Sequence, residues 1–360
     1  PFEITPDGST VVNAADHDTP GDQELYRVPI TGGTSPKLSE HLPAGTLVWG
    51  VDQIGPDGLS VLYHTRRPDE DTWGLALAPI VTGPNTTLAA PASYDPLESS
   101  LFSPDGSTVV FQANRDVPTE FEIFSIPSSG GTVTQLNGLL VPDTDVWTFE
   151  ITPDGLTVLY RAYEQAHFGA QLYSVPIGGG ERVRLTGHSE SETEIGGFAI
   201  SPDGATVVFA ESEGWQFHEL LRMPITGGQP TVLDSMEATN NYTGFLGPLF
   251  SADGSTIVYR RSVYPLKREL YSIPATGGET KRLSGPLSSS SSVDAPTLVP
   301  GGTHLVYRAN PESYSVHELF AVPLSADGDA DGTLDACDDC LDQDGDGFSD
   351  PGRPQDDCPP

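Results

Sequence analysis

The 360-residue chain has 51 acidic and 17 basic residues, which give it a formal net charge of −34. A field of that sign repels phosphate backbones and anionic membrane surfaces, which argues against nucleic acid as a partner. The 39 glycines and 33 prolines are too many for long helices, and the content of β-branched and aromatic residues is too high for disorder. No run of 18 apolar residues is present, so no transmembrane segment is expected. The composition favours an all-β chain with many tight turns.

A turn of the form Ser/Thr-Pro-Asp-Gly, or a close variant of it, recurs seven times at intervals of 48 to 50 residues. Proline presets the second residue of a type I turn, aspartate bonds the local backbone, and glycine adopts the left-handed conformation that closes a hairpin. Each copy therefore predicts a pair of antiparallel strands. The second residues of the copies are Pro6, Pro56, Pro104, Pro153, Pro202, Ala252 and Pro300.

A second marker, an apolar strand that ends in proline, keeps the same period. Its prolines are Pro29, Pro79, Pro127, Pro176, Pro224, Pro274 and Pro323. Between the two markers lie runs rich in β-branched and aromatic residues, as at 107–111, which are typical of buried strands. After the proline, a Gly-Gly turn in most copies leads into a short fourth strand, as at 280–284. Four strands in about 49 residues form one propeller blade, so residues 1–325 are predicted to form a seven-bladed β-propeller of four-stranded antiparallel blades.

The first and the last blade depart from the repeat. Blade 1 has Asn13 where the other six blades have an aromatic residue, which predicts a looser or atypical blade. Those aromatic residues are Tyr63, Phe111, Tyr160, Phe209, Tyr259 and Tyr307. Blade 7 has three strands and then becomes acidic at 325, where its fourth strand should begin. We expect a segment upstream of Pro1 to supply that outer strand; if the first strand of another blade lies upstream instead, seven is an undercount.

The repeat resembles the WD-repeat-like propeller repeat of the TolB family, and the resemblance covers about nine-tenths of the chain. It rests on the Ser-Pro-Asp-Gly turn, the strand after it, the Glu-Leu-Tyr strand that ends in proline, and the Gly-Gly turn. Propellers built from this repeat also occur in tricorn protease and in the prolyl oligopeptidase family. The resemblance therefore implies a fold and does not name an activity.

The acidic tail at 326–360 has the spacing of calcium-binding loops. Alternate carboxylates converge on one hard cation when a glycine lets the backbone turn after the third, and a carbonyl at position 7 adds a ligand. The first loop offers Asp327, Asp329, Asp331, Thr333, Asp335 and Asp338, and the second offers Asp342, Asp344, Asp346, Phe348 and Asp350. The sequence thus predicts bound Ca²⁺. The alternative interpretation is a solvated acidic linker.

The tail resembles the thrombospondin type 3 repeat of secreted bacterial proteins, and the resemblance implies calcium-ligand roles for those residues. Arg353 at position 12 of the second loop departs from it, so the second site is expected to be weaker or to use Asp356 or Asp357. The resemblance also implies a disulfide between Cys340 and Cys358, which leaves Cys337 without a partner. A Cys-x-x-Cys zinc or redox site is disfavoured, because there is no second such motif and no nearby histidine.

The propeller itself has few candidate functional residues. No nucleophile elbow, zinc-protease helix, P-loop or dinucleotide fingerprint occurs in the sequence, and the eight histidines share no spacing. Arg161, Arg260 and Arg308 follow the second-strand aromatic residue and could meet an acidic ligand, although pairing with neighbouring carboxylates is favoured. The four tryptophans could form a platform for a sugar or a peptide, although burial between blades is favoured. They are Trp49, Trp73, Trp147 and Trp215.

Two function classes follow from these features. The favoured one is a non-enzymatic bacterial protein, extracellular, cell-surface or periplasmic, whose propeller binds a protein or carbohydrate ligand and whose tail binds calcium. The alternative is an enzyme, either a propeller lyase or the accessory propeller domain of a larger hydrolase or peptidase. The chain has only 17 basic residues, spread over its length, whereas a lyase needs clustered basic residues, and this disfavours the lyase.

Overall fold

The computed structural model of the protein describes residues 2–39, 42, 45–68, 72–81, 83–92, 99–114, 120–138, 145–163, 169–186, 193–213, 216–236, 244–263, 267–284, 292–299, 302, 304–310 and 317–324. Within these ranges every regular element is a β-strand. The same ranges hold no helix of the length and apolar character that crossing a membrane requires. The chain divides into two compact units, one of residues 1–194 with 225–228 and one of the remaining residues.

The first unit contains four antiparallel sheets, numbered here in chain order. Sheet 1 consists of β1 (Phe2–Ile4), β2 (Thr10–Thr19) and β3 (Asp22–Pro29). Sheet 2 consists of β4 (Leu47–Ile54), β5 (Ser60–Arg67), β6 (Thr72–Pro79) and β7 (Thr86–Ala92). Sheet 3 consists of β8 (Ser100–Phe102), β9 (Thr108–Ala113), β10 (Glu122–Pro127) and β11 (Thr134–Gln135). Sheet 4 consists of β12 (Val146–Ile151), β13 (Thr157–Ala162), β14 (Gln171–Pro176) and β15 (Val183–Arg184).

The second unit continues the same pattern. Sheet 5 consists of β16 (Thr193–Ile200), which starts at the end of the first unit, β17 (Thr206–Glu213), β18 (Gln216–Pro224) and β19 (Thr231–Ser235). Sheet 6 consists of β20 (Gly244–Phe250), β21 (Thr256–Val263), β22 (Lys267–Pro274) and β23 (Lys281–Arg282). Sheet 7 consists of β24 (Val293–Leu298), β25 (His304–Ala309) and β26 (Glu318–Pro323). The predicted all-β fold of four-stranded antiparallel sheets is confirmed.

The repeated aromatic residue of each second strand lies opposite an aromatic residue of the third strand in several sheets. In sheet 4, Tyr160 is the direct partner of Tyr173, and their rings stack with centroids 5.2 Å apart. In sheet 3, Phe111 faces Phe124 at 5.5 Å. Cross-strand aromatic pairs of this kind hold the register of the two strands. The regular spacing of the sequence markers therefore corresponds to the same strand register in successive sheets.

Most of the Pro-Asp-Gly turns are held by a hydroxyl residue that precedes them. In sheet 3, Ser103 Oγ donates to Asp105 Oδ1 at 2.6 Å, and the Ser107 amide donates to the same oxygen at 3.0 Å. Ser103 Oγ in turn accepts the Thr108 amide at 3.0 Å. These hydrogen bonds favour the carboxylate and lower the pKa of Asp105 to about 2. The predicted turn is confirmed, and Gly106 has the expected left-handed φ of 73°.

Within the first unit, consecutive sheets pack face to face and stack their turns. A Cβ placed on Gly106 would lie 3.5 Å from Pro56 of the preceding turn, and one on Gly155 would lie 3.5 Å from Pro104. The apolar core lies between sheets: Leu25 of sheet 1 belongs to one buried cluster with Val61 of sheet 2. Packing of each sheet on the next is the arrangement that a propeller repeat requires.

Sheets 1 and 7 differ from the others, as the sequence predicts. Within the described residues each has three strands, and sheet 1 adds an isolated bridge between Tyr26 and Lys37. Asn13 is only half-buried. Leu319 of sheet 7 is 77% exposed, whereas Leu270, at the same place in sheet 6, is fully buried. The number of blades stays a prediction, and the tail at 326–360 lies outside the described residues.

Candidate functional site

The largest exposed aromatic side chain of sheet 2 stands on a β-bulge. In the pairing of β4 with β5, Val48 faces Thr65 and Gly50 faces His64, which leaves Trp49 without a partner. A bulge of this kind interrupts the ladder and turns the extra side chain out of the regular alternation. The result is visible in the burial of neighbours: Val48 is 2% exposed and Trp49 is 53% exposed. The backbone therefore presents an indole ring to solvent.

The Trp49 indole is fixed by two neighbours from the same sheet. Trp73 of β6, which is 9% exposed, meets it edge-on with ring centroids 4.9 Å apart. The guanidinium carbon of Arg66 lies 5.4 Å from the centre of the Trp49 ring and 5.0 Å from that of Trp73. Both distances are within the range of cation–π attraction. Contacts on both rings hold the exposed indole in one orientation.

Trp49 and Arg66 border a small cavity of about 190 Å³. Its lining residues are Gly21, Gln23, Leu47, Val48, Trp49, Arg66 and Pro68. Gln23 and Gly21 come from the hairpin between β2 and β3 of sheet 1, so two neighbouring sheets build the cavity. The lining combines a flat apolar ring with an amide and a guanidinium, and none of its described residues is a carboxylate. We call this group of residues the sheet 2 site.

Sheet 4 carries a second exposed tryptophan on the same device. In the pairing of β12 with β13, Val146 faces Ala162 and Thr148 faces Arg161, so Trp147 is the bulged residue. Trp147 is 53% exposed, and the preceding Val146 is 1% exposed. The guanidinium carbon of Arg161 lies 4.9 Å from the Trp147 ring centre.

An acidic residue completes the sheet 4 cluster. The ring of Tyr163 meets Trp147 edge-on at 5.4 Å. Glu194 Oε1 accepts hydrogen bonds from Arg161 Nη2 at 2.8 Å and from the Tyr163 hydroxyl at 3.2 Å. Burial is the main cause that raises the pKa of Tyr163, and the charge of Glu194 and its hydrogen bond add to it. We call Trp147, Arg161, Tyr163 and Glu194 the sheet 4 site.

A buried polar group links sheets 2 and 3. Asp52 is the second bulged residue of β4, and its Oδ2 lies 2.9 Å from His64 Nε2 and accepts a hydrogen bond from the Ser100 hydroxyl. Burial raises the pKa of Glu3, and the charge of Asp52 raises it further. Ser100 donates to the carboxylate and not to the imidazole, so this group lacks the order of a nucleophile–base–acid triad. It joins strands and does not activate a nucleophile.

The tryptophan prediction is only partly right. Trp73 is buried, as favoured, but burial is wrong for Trp49 and Trp147, because each lies on a bulge that turns it outward. Trp215 lies outside the described residues.

The predicted pairing of the arginines with carboxylates is confirmed for two of them. Arg161 pairs with Glu194, and Arg308 pairs with Asp294 at 3.4 Å. Arg260 instead donates to the Val293 carbonyl at 3.5 Å, and burial is the main cause that lowers its pKa.

Every predicted calcium ligand lies outside the described residues. These are Asp327, Asp329, Asp331, Thr333, Asp335, Asp338, Asp342, Asp344, Asp346, Phe348 and Asp350. The three cysteines, Cys337, Cys340 and Cys358, lie there as well. In the ranges that the structure describes, no three histidine, cysteine, aspartate or glutamate side chains come together as a metal site.

Sequence reasoning missed Arg66, Gln23, Tyr163 and Glu194 as members of the two sites. None of them belongs to either repeated marker. A weak signal exists in the aromatic and basic residues close to each second strand's end, where Arg66 and Tyr163 follow the repeated tyrosine by three residues. Such a signal does not reveal which side chains converge, because the bulges decide that.

No protein-family model and no curated protein sequence matches the chain. Among solved structures, an oligogalacturonate lyase in complex with manganese is similar over 89% of this chain and 87% of its own, with 15% identity and a TM-score of 0.56. A prolyl endopeptidase is similar over 86% of this chain, with 12% identity and a TM-score of 0.55. This chain spans about half of that endopeptidase, since 46% of it is covered.

TolB from Acinetobacter baumannii is also among the similar structures, over 76% of this chain and 65% of its own, with 18% identity. Its TM-score of 0.40 is too low to carry an argument. The likeness to the lyase and the endopeptidase shows the β-propeller fold of this chain and nothing about its activity.

Proposed function

We propose that this chain is a non-enzymatic binding protein whose sheet 2 site takes a ring of a neutral carbohydrate. The observation that carries the proposal is Trp49, an indole 53% exposed on a bulge and held by Arg66 and Trp73 beside a cavity. An ordered aromatic face loses little conformational freedom when a ligand stacks on it. The amide of Gln23 and the guanidinium of Arg66 supply hydrogen-bond donors for hydroxyl groups.

The size of the cavity favours a single ring of a ligand. Its volume of about 190 Å³ is below the roughly 300–1,000 Å³ of pockets that enclose drug-sized molecules. A stable protein partner buries about 800 Å² on each side, far more than one indole and a small cavity offer. A sugar ring with one apolar face and hydroxyl groups at its edge matches the lining.

The charge of the chain selects against an anionic ligand. Nucleic-acid bases also stack on tryptophan, but each brings a phosphate, and the net charge of −34 repels it. Arg66 alone does not reverse that field. A neutral polysaccharide has the stacking surface and lacks the charge.

The binding class is favoured over the enzyme class by the lining itself. Among the residues that the structure describes, those lining the cavity include no histidine, carboxylate, serine or cysteine, the side chains that commonly act as general acid, general base or nucleophile. The lyase and endopeptidase among the similar structures support the fold, not a reaction. We assign no catalytic residue.

The proposal includes the location and the metal. We place the chain outside the cytoplasm, in the extracellular, cell-surface or periplasmic space of a bacterium, and we propose Ca²⁺ as the ion bound by its tail. Support for the metal comes from the donor set: carboxylates at alternate positions, with a glycine after the third, are the hard oxygen ligands that calcium takes. Cysteines confined to such a tail suit an oxidising compartment.

Native-gel affinity electrophoresis tests the carbohydrate site. The acidic chain migrates readily, and gels would contain hydroxyethylcellulose, glucomannan, arabinoxylan, dextran or, as the anionic comparison, polygalacturonate. We expect at least one neutral polymer to retard the wild-type chain, Trp49→Ala to regain most of the mobility, and polygalacturonate to have no effect. Leu59→Ala, which changes another exposed residue of sheet 2, is the control and should be retarded like wild type.

Two outcomes would reject this function. Retardation by none of the four neutral polymers would show that the exposed indole does not serve carbohydrate. Equal retardation of wild type and Trp49→Ala would show that the polymer binds elsewhere on the molecule.

Isothermal titration calorimetry with Ca²⁺ tests the tail. We expect saturable binding to the wild-type chain and its loss when Asp329 and Asp344 are both changed to Ala, because each variant position removes a carboxylate from one loop. Unchanged heats in the double variant would make the tail an acidic linker. The gel experiment is independent of this result, so the two halves of the proposal fail separately.

A further inference from the structure

The sheet 4 site repeats the sheet 2 site in its backbone. In both sheets the first strand carries a bulge near its start, the bulged residue is tryptophan, and the preceding residue is a buried valine. Trp49 and Trp147 are each 53% exposed. In both, an arginine of the second strand lies about 5 Å from the indole centre.

We propose that the sheet 4 site is a second carbohydrate subsite, and that the ligand is therefore a polymer that contacts both tryptophans. This inference rests on the proposed function. Both sites belong to the first unit of the chain, and two alternate sheets of that unit carry them.

The chemistry of the sheet 4 site suits neutral hydroxyl groups. Glu194 accepts from Arg161 at 2.8 Å and from Tyr163 at 3.2 Å, so the arginine charge is compensated inside the site. Beside the indole, the Glu194 carboxylate and the Tyr163 phenol oxygen offer acceptors to sugar hydroxyls. An anionic group would meet Glu194 and is disfavoured here, which agrees with the choice of a neutral ligand for the sheet 2 site.

With two subsites, the protein should bind a polysaccharide more tightly than it binds a single sugar ring. When one polymer engages the first subsite, binding at the second becomes intramolecular, and the gain reaches about 10²–10⁴-fold where the geometry permits both contacts. Loss of either tryptophan should then cost much of this gain. If the protein had only the sheet 2 site, substitution of Trp49 would weaken binding and substitution of Trp147 would not.

The test measures the dissociation constant for the most retarding of the four neutral polymers by affinity electrophoresis. The proteins are wild type, Trp49→Ala, Trp147→Ala and Trp147→Tyr, with unchanged thermal unfolding as the check on folding. We expect Trp147→Ala to weaken binding at least tenfold and Trp147→Tyr, which keeps a ring on the bulge, to remain within about threefold of wild type. Leu156→Ala, an exposed residue of sheet 4, is the matched control.

The outcomes separate the two proposals. If Trp147→Ala binds like wild type while Trp49→Ala does not, the second subsite is wrong and the sheet 2 site stands. If Trp147→Tyr is as weak as Trp147→Ala, ring stacking is not what Trp147 contributes, and the subsite is wrong. If the wild-type chain binds no neutral polymer, both proposals fall together.

Discussion

Sheets 2 and 4 present a tryptophan on the same kind of β-bulge, and they differ in which residue pairs with the neighbouring carboxylate. Each places a tryptophan on a bulge of its first strand. In sheet 4 the residue after the repeated tyrosine is Arg161, which both covers Trp147 and pairs with Glu194. In sheet 2 the same position is His64, which lies against Asp52, and Arg66 two residues later covers Trp49.

The two sheets thus share the backbone position that exposes an indole, but they differ in the charged residues around it. In sheet 2, His64 pairs with the neighbouring carboxylate of Asp52, and a different residue, Arg66, borders the cavity and lies over the Trp49 ring. Arg161 has to serve both roles in sheet 4.

The largest expected effect on stability is at His64. The His64 side chain is 8% exposed and that of Asp52 is 15% exposed, so His64→Ala leaves a largely buried carboxylate whose remaining partner among the described residues is Ser100. We expect a loss of about 3 kcal/mol in the free energy of unfolding, measured by urea denaturation. Such a loss would support the role of His64 as the partner of the Asp52 carboxylate.

His64→Gln is the matched control for that variant. Gln112 stands at the equivalent position of sheet 3, where its Nε2 donates to the Val146 carbonyl at 2.6 Å. Glutamine at 64 keeps a donor, so it should lose clearly less stability than alanine. Equal losses for the two variants would mean that packing, and not the pairing with Asp52, is what His64 provides.

A smaller effect distinguishes two tyrosine hydroxyls. The Tyr63 hydroxyl of sheet 2 is buried and meets no hydrogen-bond partner among the residues that the structure describes, whereas the Tyr163 hydroxyl of sheet 4 donates to Glu194. At pH 7 we expect Tyr63→Phe to be neutral or slightly stabilising and Tyr163→Phe to lose about 1 kcal/mol. Urea denaturation of both variants measures the difference, and a larger loss for Tyr63→Phe would contradict it.

The same tyrosines give a pH dependence with a definite sign. Burial raises the pKa of Tyr63 above its ordinary value of 10.0, so the folded chain keeps a proton that the unfolded chain releases. That contribution is complete below pH 10 and is lost as the pH rises above it. Between pH 9 and pH 11, the free energy of unfolding should therefore fall by about 1 kcal/mol less in Tyr63→Phe than in wild type. An identical decline in both proteins would show that the phenol titrates equally in the folded and unfolded states.

Much of the fold could be predicted from the sequence, because its determinants are local. A turn such as Ser103 to Gly106 specifies its own hydrogen bonds, and the position of Phe111 after it specifies a buried strand. The sites could not be predicted in the same way. Trp49 looks like any other strand residue in the sequence, and its exposure depends on a bulge that appears only when β4 pairs with β5.

The partners within the sites depend on contacts between distant segments. Glu194 reaches Arg161 across 33 residues of sequence, and Gln23 reaches the sheet 2 cavity from another sheet. No repeated spacing encodes such contacts. The register of the repeat can therefore be deduced from one sequence, whereas the convergence of side chains at an exposed edge requires the three-dimensional structure.

Acrylamide quenching of tryptophan fluorescence, measured with and without the retarding neutral polymer, tests whether the ligand contacts both exposed indoles. Trp49 and Trp147 are half-exposed and Trp73 is buried, so the first two should contribute strongly to quenching in the free protein. We expect the polymer to protect both indoles from quenching, and the protection to shrink in Trp49→Ala and again when Trp147 is also changed to Ala. Quenching that is unchanged by a polymer that binds the protein would show that the ligand contacts neither indole, and both carbohydrate proposals would be wrong.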